Sequence, residues 1–189
     1  MDYSLLFEIL LGENPSVAIK ENEEYVFSLI PDLVKCKGFE QNNDWHIYDV
    51  YEHILKVVDG VSSNLAIRLA ALFHDVGKPY VYVKDEKGVG HFYDHWNKSK
   101  EIFMSFAKKY NLSDDLVKTV SKLILYHDFD FQNISDAVKD IVLNSFTIEE
   151  IKMLFELKES DLLAQNAQFH HLLDNYKKQK SKLLYRGCG

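Results

Sequence analysis

The chain has 189 residues, of which 47% are hydrophobic and 27% charged, an ordinary composition for a globular protein with one sizeable core. The formal net charge of -7 argues against broad binding to nucleic acid, which needs a basic surface. Two cysteines, Cys36 and Cys188, imply neither a disulfide framework nor a cysteine zinc site. Because we find no signal peptide and no run of about 18 apolar residues, we predict a cytoplasmic protein that does not enter a membrane.

Helical periodicity dominates the chain, since proline occurs only three times and glycine eight times. It predicts helices near residues 3–11, 21–35, 48–59, 64–76, 97–110, 113–127, 135–144, 147–157 and 159–184. The exception is a segment rich in β-formers with a central Gly88, which predicts a short β-hairpin near 80–92. With no repeat or linker in view, we expect one all-α domain over residues 1–189.

Ionisable side chains fall on the apolar faces of several of these helices. His53 lies three residues after Val50 and four before Val57, which places its imidazole on a buried stripe. Similar inward placements hold for His74, Asp75, His95, His127 and Asp161. His74 and Asp75 end a very apolar helix, and we expect Gly77 to be its C-cap.

A single histidine on an apolar face is more often an ordinary core residue than a ligand. Several such residues in one small domain favour a common centre, because buried ionisable groups need a partner or a metal ion. Four imidazoles and two carboxylates without a thiolate suit Mn, Fe, Co, Ni or Zn, and Mg is left open.

One or two divalent ions are compatible with this set. Asp75 would bridge two ions, with His53, His74 and Asp161 completing one site and His95 with His127 the other. Ions about 3.5–4 Å apart are suited to phosphate ester hydrolysis. A mononuclear phosphatase that does not use His95 and His127 is an alternative.

The pattern H…HD…H…H…D formed by these six residues resembles the HD-domain superfamily of metal-dependent phosphohydrolases. The closer resemblance is to the HD portion of bacterial CCA-adding tRNA nucleotidyltransferases. It rests on four segments between about residues 46 and 166, namely His46–His53, Arg68–Pro79, Gly90–His95 and Asp161–Asn166.

This resemblance implies an HD-type helical bundle around a metal centre. It also implies phosphatase or phosphodiesterase activity, on 2′-phosphates and 2′,3′-cyclic phosphates in the tRNA-related branch. CCA addition is not expected, because only some 45 residues precede the motif and they contain no nucleotidyltransferase signature. Gly77-Lys78-Pro79-Tyr80 lacks the motifs of cyclic-dinucleotide phosphodiesterases and alarmone hydrolases, which disfavours those substrates.

Three further residues are predicted to line the pocket. Lys78 follows the His-Asp pair and would clamp a substrate phosphate, or else act as a helix C-terminal lysine. His91 would bind substrate or protonate the leaving oxygen, or else be an exposed hairpin residue. His46 would contact substrate, or else pack or cap. We predict Asp75, Lys78 and His91 as catalytic residues.

The predicted partner is a small phosphorylated substrate, in particular a nucleotide. Contact with RNA is left open by the lysine-rich segment 177–182, and the sequence does not specify the oligomeric state. The competing interpretation is a non-catalytic HD module that binds a nucleotide or tRNA. Metal analysis and assays on phosphate esters would separate the two.

Overall fold

The computed structural model describes residues 2–129, 140 and 144–186, and within these ranges the predicted all-α fold is confirmed. The helices are α1 Ser4–Leu11, α2 Pro15–Glu21, α3 Glu23–Leu29, α4 Asp32–Cys36, α5 Val50–Gly60, α6 Leu65–Phe73, α7 Lys78–Val81, α8 His95–Lys109, α9 Asp114–Tyr126, α10 Ile148–Leu163 and α11 Leu173–Arg186. A 3-10 helix spans Ala167–Leu172, and two short strands are β1 Val83–Lys84 and β2 Gly90–His91.

Helix α6 occupies the centre of the fold. It packs against α1, α5, α8, α9 and α10, and every residue from Ile67 to Phe73 is buried. A helix surrounded in this way is expected to be largely apolar, and the only charged residue of α6, Arg68, donates from Nε to the carbonyl oxygen of Ser62 at 3.0 Å. The chain leaves α6 at His74 and Asp75, so both side chains emerge inside the core rather than at the surface.

Two helices that carry site residues begin at strong N-caps. The Asp49 side chain accepts a hydrogen bond from the backbone N–H of Glu52 at the start of α5. Thr147 and Glu150 form a reciprocal capping box at the start of α10. Such caps satisfy backbone donors that a helix leaves free at its first turn, so they fix where α5 and α10 start.

Several predicted helix boundaries were wrong. The helix expected over 21–35 is two helices, because the chain breaks at Ile30 and Pro31, and α2, which begins at Pro15, was not predicted. The break expected at residue 158 is absent, since α10 continues to Leu163. The helix expected over 135–144 lies outside the described residues except at 140 and 144.

The predicted hairpin is present but shorter than expected. Val83 pairs with His91 and Lys84 with Gly90 in antiparallel register. Tyr80 belongs to α7 rather than to a strand, because Pro79 favours the first turn of a helix. In the ranges that the structure covers, no helix has both the length and the apolar character needed to cross a membrane.

Candidate metal centre

The six predicted ligand residues lie together although they come from five parts of the fold. His74 and Asp75 follow α6, and Asp161 lies near the end of α10. His53 lies within α5, His95 opens α8 and His127 directly follows α9. The side chain of Asp161 is 14% exposed, and those of the other five are exposed by 5% or less.

Asp75 is at the centre of this group, and its two oxygens face different imidazoles. Oδ2 lies 3.3 Å from Nε2 of His53 and 3.2 Å from Nε2 of His74. Oδ1 lies 3.1 Å from Nε2 of His95 and 3.6 Å from Nε2 of His127. The carboxylate therefore divides the four imidazoles into two pairs, which is the arrangement that a bridging ligand requires.

Asp161 joins only one of these pairs. Its Oδ1 lies 3.0 Å from Nε2 of His53, and the donor atoms of His53, His74 and Asp161 all lie within 4.8 Å of one another. The half of the site at Asp75 Oδ2 thus has two imidazoles and an additional carboxylate. The half at Oδ1 has two imidazoles.

Backbone carbonyls fix the rings of three of the histidines. Each of these rings contacts, through Nδ1, the carbonyl oxygen three residues earlier: His74 to Ala71 at 2.7 Å, His95 to Phe92 at 2.8 Å and His127 to Ile124 at 2.7 Å. An Nδ1–H that donates to a carbonyl leaves a lone pair on Nε2 of the neutral ring. Histidines that bind metal commonly use this arrangement, which sets ring orientation.

The atoms gathered near Asp75 Oδ1 need a positive charge between them. Nε2 of His95 lies 3.2 Å from Nε2 of His127, and burial lowers the pKa of His127, which favours its neutral ring. Asp75 Oδ1 is buried and has no hydrogen-bond partner among the described residues. Lone pairs facing one another beside an unpartnered carboxylate oxygen repel, so this donor set fits a divalent transition-metal ion.

The two carboxylates remain ionised. Burial raises the pKa of Asp75, but its interactions with His74 and with the Lys78 ammonium outweigh that effect and hold the pKa well below its usual range. Burial likewise raises the pKa of Asp161, and the hydrogen bond with His53 outweighs it. For His53, burial lowers the pKa, yet hydrogen bonds with Asp161 and Asp75 raise it to about 9. Both carboxylates are thus present as anionic donors, and their charge is balanced here by the ammonium of Lys78 and the protonated ring of His53.

Lys78 borders the ligand group rather than ending a helix. It is the first residue of α7, is 4% exposed, and places Nζ 2.6 Å from Asp75 Oδ2. The ammonium also donates to Gln41 Oε1 at 2.9 Å and lies 3.3 Å from Nε2 of His46. A buried ammonium held at the edge of an anionic site can contact an anionic substrate there.

His46 contacts Lys78 and borders the ligand group. Burial, followed by the charge of Lys78, lowers the pKa of His46 to about 2, so the ring is neutral. Its Nδ1 lies 2.8 Å from Asn43 Oδ1, which leaves Nε2 to accept from Lys78. His46 is close enough to His53 and Asp75 to share an ion with them, but its Nε2 lone pair is already engaged.

His91 lies at the mouth of the site and outside the ligand group. Its Nε2 lies 3.1 Å from Asp85 Oδ2, and its ring stacks on Tyr93 with centroids 5.4 Å apart. With Lys78 and Trp96 it lines a cavity of about 310 Å³ that opens above Asp75, here termed the first cavity. Its predicted catalytic role stays a prediction.

Gly77 does not act as the expected C-cap, and that prediction was wrong. Helix α6 ends at Phe73, and Gly77 has φ of -77°, which any residue can adopt. The glycine is needed because a Cβ there would lie 2.5 Å from the carbonyl oxygen of His95 and 2.6 Å from the nitrogen of Ser99. The start of α8 therefore packs directly on the turn that carries Asp75.

Two supporting residues were not predicted from the sequence. Lys158 is buried in α10 and donates to the carbonyl oxygens of His127 at 2.5 Å and Phe129 at 2.9 Å. Gln165 donates from Nε2 to Asp161 Oδ1 at 3.2 Å. The available signal was spacing: Lys158 and Gln165 lie one helical turn before and after Asp161, and thus beside it.

Comparison with known proteins agrees with this geometry. The family model described as HD domain matches residues 44–177, which is most of the chain. The chain is also similar to the A-adding tRNA nucleotidyltransferase of Deinococcus radiodurans, with 28% identity over 104 residues. That alignment covers 52% of this chain and 24% of the relative, so the chain matches about a quarter of the relative's length. The chain therefore belongs to the HD-domain superfamily of metal-dependent phosphohydrolases.

Proposed function

We propose that this protein hydrolyses a phosphate ester of a nucleotide or a related small molecule, using one or two divalent transition-metal ions. The arrangement around Asp75 carries the proposal: four imidazole Nε2 atoms face its two oxygens, and Oδ1 has no hydrogen-bond partner among the described residues. Nucleotide 2′-phosphates and 2′,3′-cyclic phosphates are the first substrates to test, because the resemblance is to proteins that act on tRNA.

The two halves of the site differ in the ligands they offer. His53, His74 and Asp161 with Asp75 Oδ2 would hold one ion, and His95 and His127 with Asp75 Oδ1 would hold the second. When bound, such ions polarise phosphoryl oxygens and lower the pKa of a coordinated water. The mixture of nitrogen and oxygen donors favours Mn, Fe, Co, Ni or Zn over Mg.

Lys78 would bind the phosphoryl group at the edge of the ligand set. Its ammonium contacts Asp75, both residues line the first cavity, and the low pKa of His46 keeps that neighbour neutral. A phosphoryl oxygen entering this cavity would take the place of the His46 contact, which is the longest of those that Lys78 makes here. The chain has a net charge of -7, so a local ammonium matters for attracting an anion.

His91 is the candidate for contact with the leaving oxygen. It borders the first cavity and shares a hydrogen bond with Asp85, which lowers the pKa of that carboxyl. The pairing holds the imidazole over the cavity mouth. A proton delivered from this ring would go to the ester oxygen as its bond to phosphorus breaks.

The test is a screen of metals and substrates with the purified protein. Elemental analysis should find transition metal, and Mn, Co or Ni should support hydrolysis of 2′,3′-cyclic nucleotides, 2′-nucleotides or p-nitrophenyl phosphate. His74→Ala and Asp75→Ala should lose both metal and turnover while remaining folded by circular dichroism. His171→Ala and Asp174→Ala, which alter exposed residues of the same types, are the matched controls.

Full turnover by either site variant would refute the assigned ligands. A wild-type protein that holds no transition metal and hydrolyses none of these esters would instead favour the non-catalytic binding module.

A further inference from the structure

A second cavity, of about 510 Å³, also borders the ligand group. His127, Asp161 and Gln165 border both cavities, so the two spaces meet at the candidate metal centre. Volumes of about 300–1,000 Å³ are typical of small-molecule sites. The candidate metal centre thus borders two cavities whose linings differ.

The second cavity has aromatic walls. Trp45, Phe129 and Tyr176 line it, together with Leu162 and Leu172. Aromatic walls of this kind bind flat rings through stacking, and they do so with every nucleobase because each base has a π-face.

The Trp45 indole is held in place before any ligand arrives. Phe169 stacks on it with ring centroids 3.7 Å apart and an interplanar angle of 16°. Phe169 does not line the cavity, whereas Trp45 does, and the backbone of Trp45 accepts a hydrogen bond from Asn166 at 2.8 Å. A platform ordered in advance loses little conformational entropy on binding.

The other two aromatic residues of the lining, Phe129 and Tyr176, are also held by contacts within the protein. Lys158 donates to the carbonyl oxygen of Phe129 and places its ammonium 5.2 Å from the centroid of the Tyr176 ring. One lysine therefore connects both aromatic residues to α10, the helix that carries Asp161. The same helix thus carries both the candidate ligand Asp161 and the lysine that contacts Phe129 and Tyr176.

We propose that the second cavity is a nucleobase subsite and that Trp45 and Tyr176 are specificity-determining residues, an inference that rests on the proposed function. The first cavity has the Lys78 ammonium beside Asp75 and suits phosphoryl oxygens. The second has aromatic walls that suit a base. A nucleotide with its phosphate at the ligand group extends its base into the second cavity, so base-free phosphate esters are poor substrates.

The chain's two tryptophans allow a direct test, because Trp45 lines the second cavity and Trp96 the first. Trp96→Phe leaves only the Trp45 signal, and Trp45→Phe leaves only that of Trp96. Each protein is titrated with adenosine 2′-monophosphate in the presence of a chelator, while tryptophan fluorescence is recorded. Saturable quenching in the Trp96→Phe protein and its absence in the Trp45→Phe protein is the expected result.

Kinetics on the metal-loaded protein give a second measurement. Trp45→Ala and Tyr176→Ala should each lower kcat/KM for adenosine 2′,3′-cyclic phosphate about 10-fold or more relative to 1-O-methylribose 2′,3′-cyclic phosphate, mainly through KM. Tyr185→Ala, which alters an exposed tyrosine of the same helix as Tyr176, should leave this ratio unchanged. Two separate positions are used so that a folding defect in one variant does not decide the outcome.

The outcomes separate the subsite from the proposed function. Quenching confined to Trp96, or a substrate ratio that neither variant changes while hydrolysis persists, would overturn the subsite alone. Absence of hydrolysis in the metal-loaded wild type would overturn the proposed function, whereas the fluorescence titration would still report where the nucleotide binds.

Discussion

The ammonium of Lys158 lies 2.5 Å from the backbone carbonyl oxygen of His127. Lys158 is in α10, three residues before Asp161, and His127 directly follows α9. This contact joins the two helices whose ends supply opposite sides of the candidate centre. It also satisfies a carbonyl that α9 leaves without an intrahelical partner.

We expect Lys158→Met to weaken the contact between α10 and the end of α9. The variant leaves two carbonyls of the α9 end without their donor, which should cost about 1–3 kcal/mol of unfolding free energy. Metal affinity should fall about 10-fold or more, since supporting contacts of ligands have effects of that size. Urea unfolding and metal titration measure the two. Lys152→Met, on the exposed face of the same helix and paired with Glu149, is the control and should change neither.

The number of bound ions can be tested with one variant from each half of the site. His127→Ala should lose one metal equivalent and retain the other, because the half with His53, His74 and Asp161 stays intact. His53→Ala should instead lose the metal equivalent that His53, His74 and Asp161 would hold. Elemental analysis and turnover should be measured together. A His127→Ala protein with unchanged rate would support the mononuclear alternative.

Lys78→Met should separate metal binding from turnover. The side chain contacts Asp75 Oδ2, and its loss leaves the ligand oxygens free for an ion. We expect metal content to be retained and kcat to fall about 100-fold or more, as is typical when a preorganised charge at a reacting group is removed. Lys98→Met, which breaks an exposed pair with Glu101, is the control. Loss of metal in the Lys78 variant would contradict this role.

Gly77→Ala should displace the start of α8. The added Cβ would lie too close to backbone atoms of His95 and Ser99, and backbone cannot move aside as a flexible side chain can. A loss of about 1–3 kcal/mol in unfolding free energy is expected from overpacking of this kind. Ser99→Ala removes only the hydrogen bond from Gly77 and should cost less. Thermal and urea unfolding would show the order of the two effects.

The Glu150 cap predicts a pH dependence of stability away from the candidate centre. Burial raises the pKa of Glu150, but hydrogen bonds from Lys122 and from the backbone of Thr147 outweigh it and lower that pKa below 4.5. The unfolded chain therefore binds the proton more readily. The stabilisation is complete above the ordinary pKa and is lost as pH falls through the lowered one.

Glu150→Gln should accordingly destabilise the protein by about 1–3 kcal/mol near neutral pH, and the difference from wild type should shrink as pH falls below the ordinary pKa of a glutamate. Urea unfolding over this pH series measures it. Glu149→Gln, at an exposed neighbouring position, should behave as wild type throughout. A difference that stays constant with pH would contradict the assigned ionisation.

Sequence periodicity predicted the inward placement of His53 well, because a residue between Val50 and Val57 on a helix has little choice of direction. It could not predict Lys158, whose partners are backbone carbonyls of a distant segment. The position of Gly77 after an apolar helix was also misleading. It suggested a helix C-cap, whereas the glycine is required because α8 packs against its backbone. Pro31 and Pro79 show that one residue type can end one helix and begin another.

The loop that supplies Trp45 and His46 is held by the chain just after Asp161. Asn166 donates its backbone N–H to Trp45 and its side chain to Asp44, and Gln168 also donates to Asp44. The loop with Trp45 and His46 is thus tied directly to the segment that follows Asp161, although more than a hundred residues separate them in the sequence. A design that transfers the Trp45 loop to another protein must therefore also transfer the segment with Asn166 and Gln168, because these residues hold the loop that carries the indole.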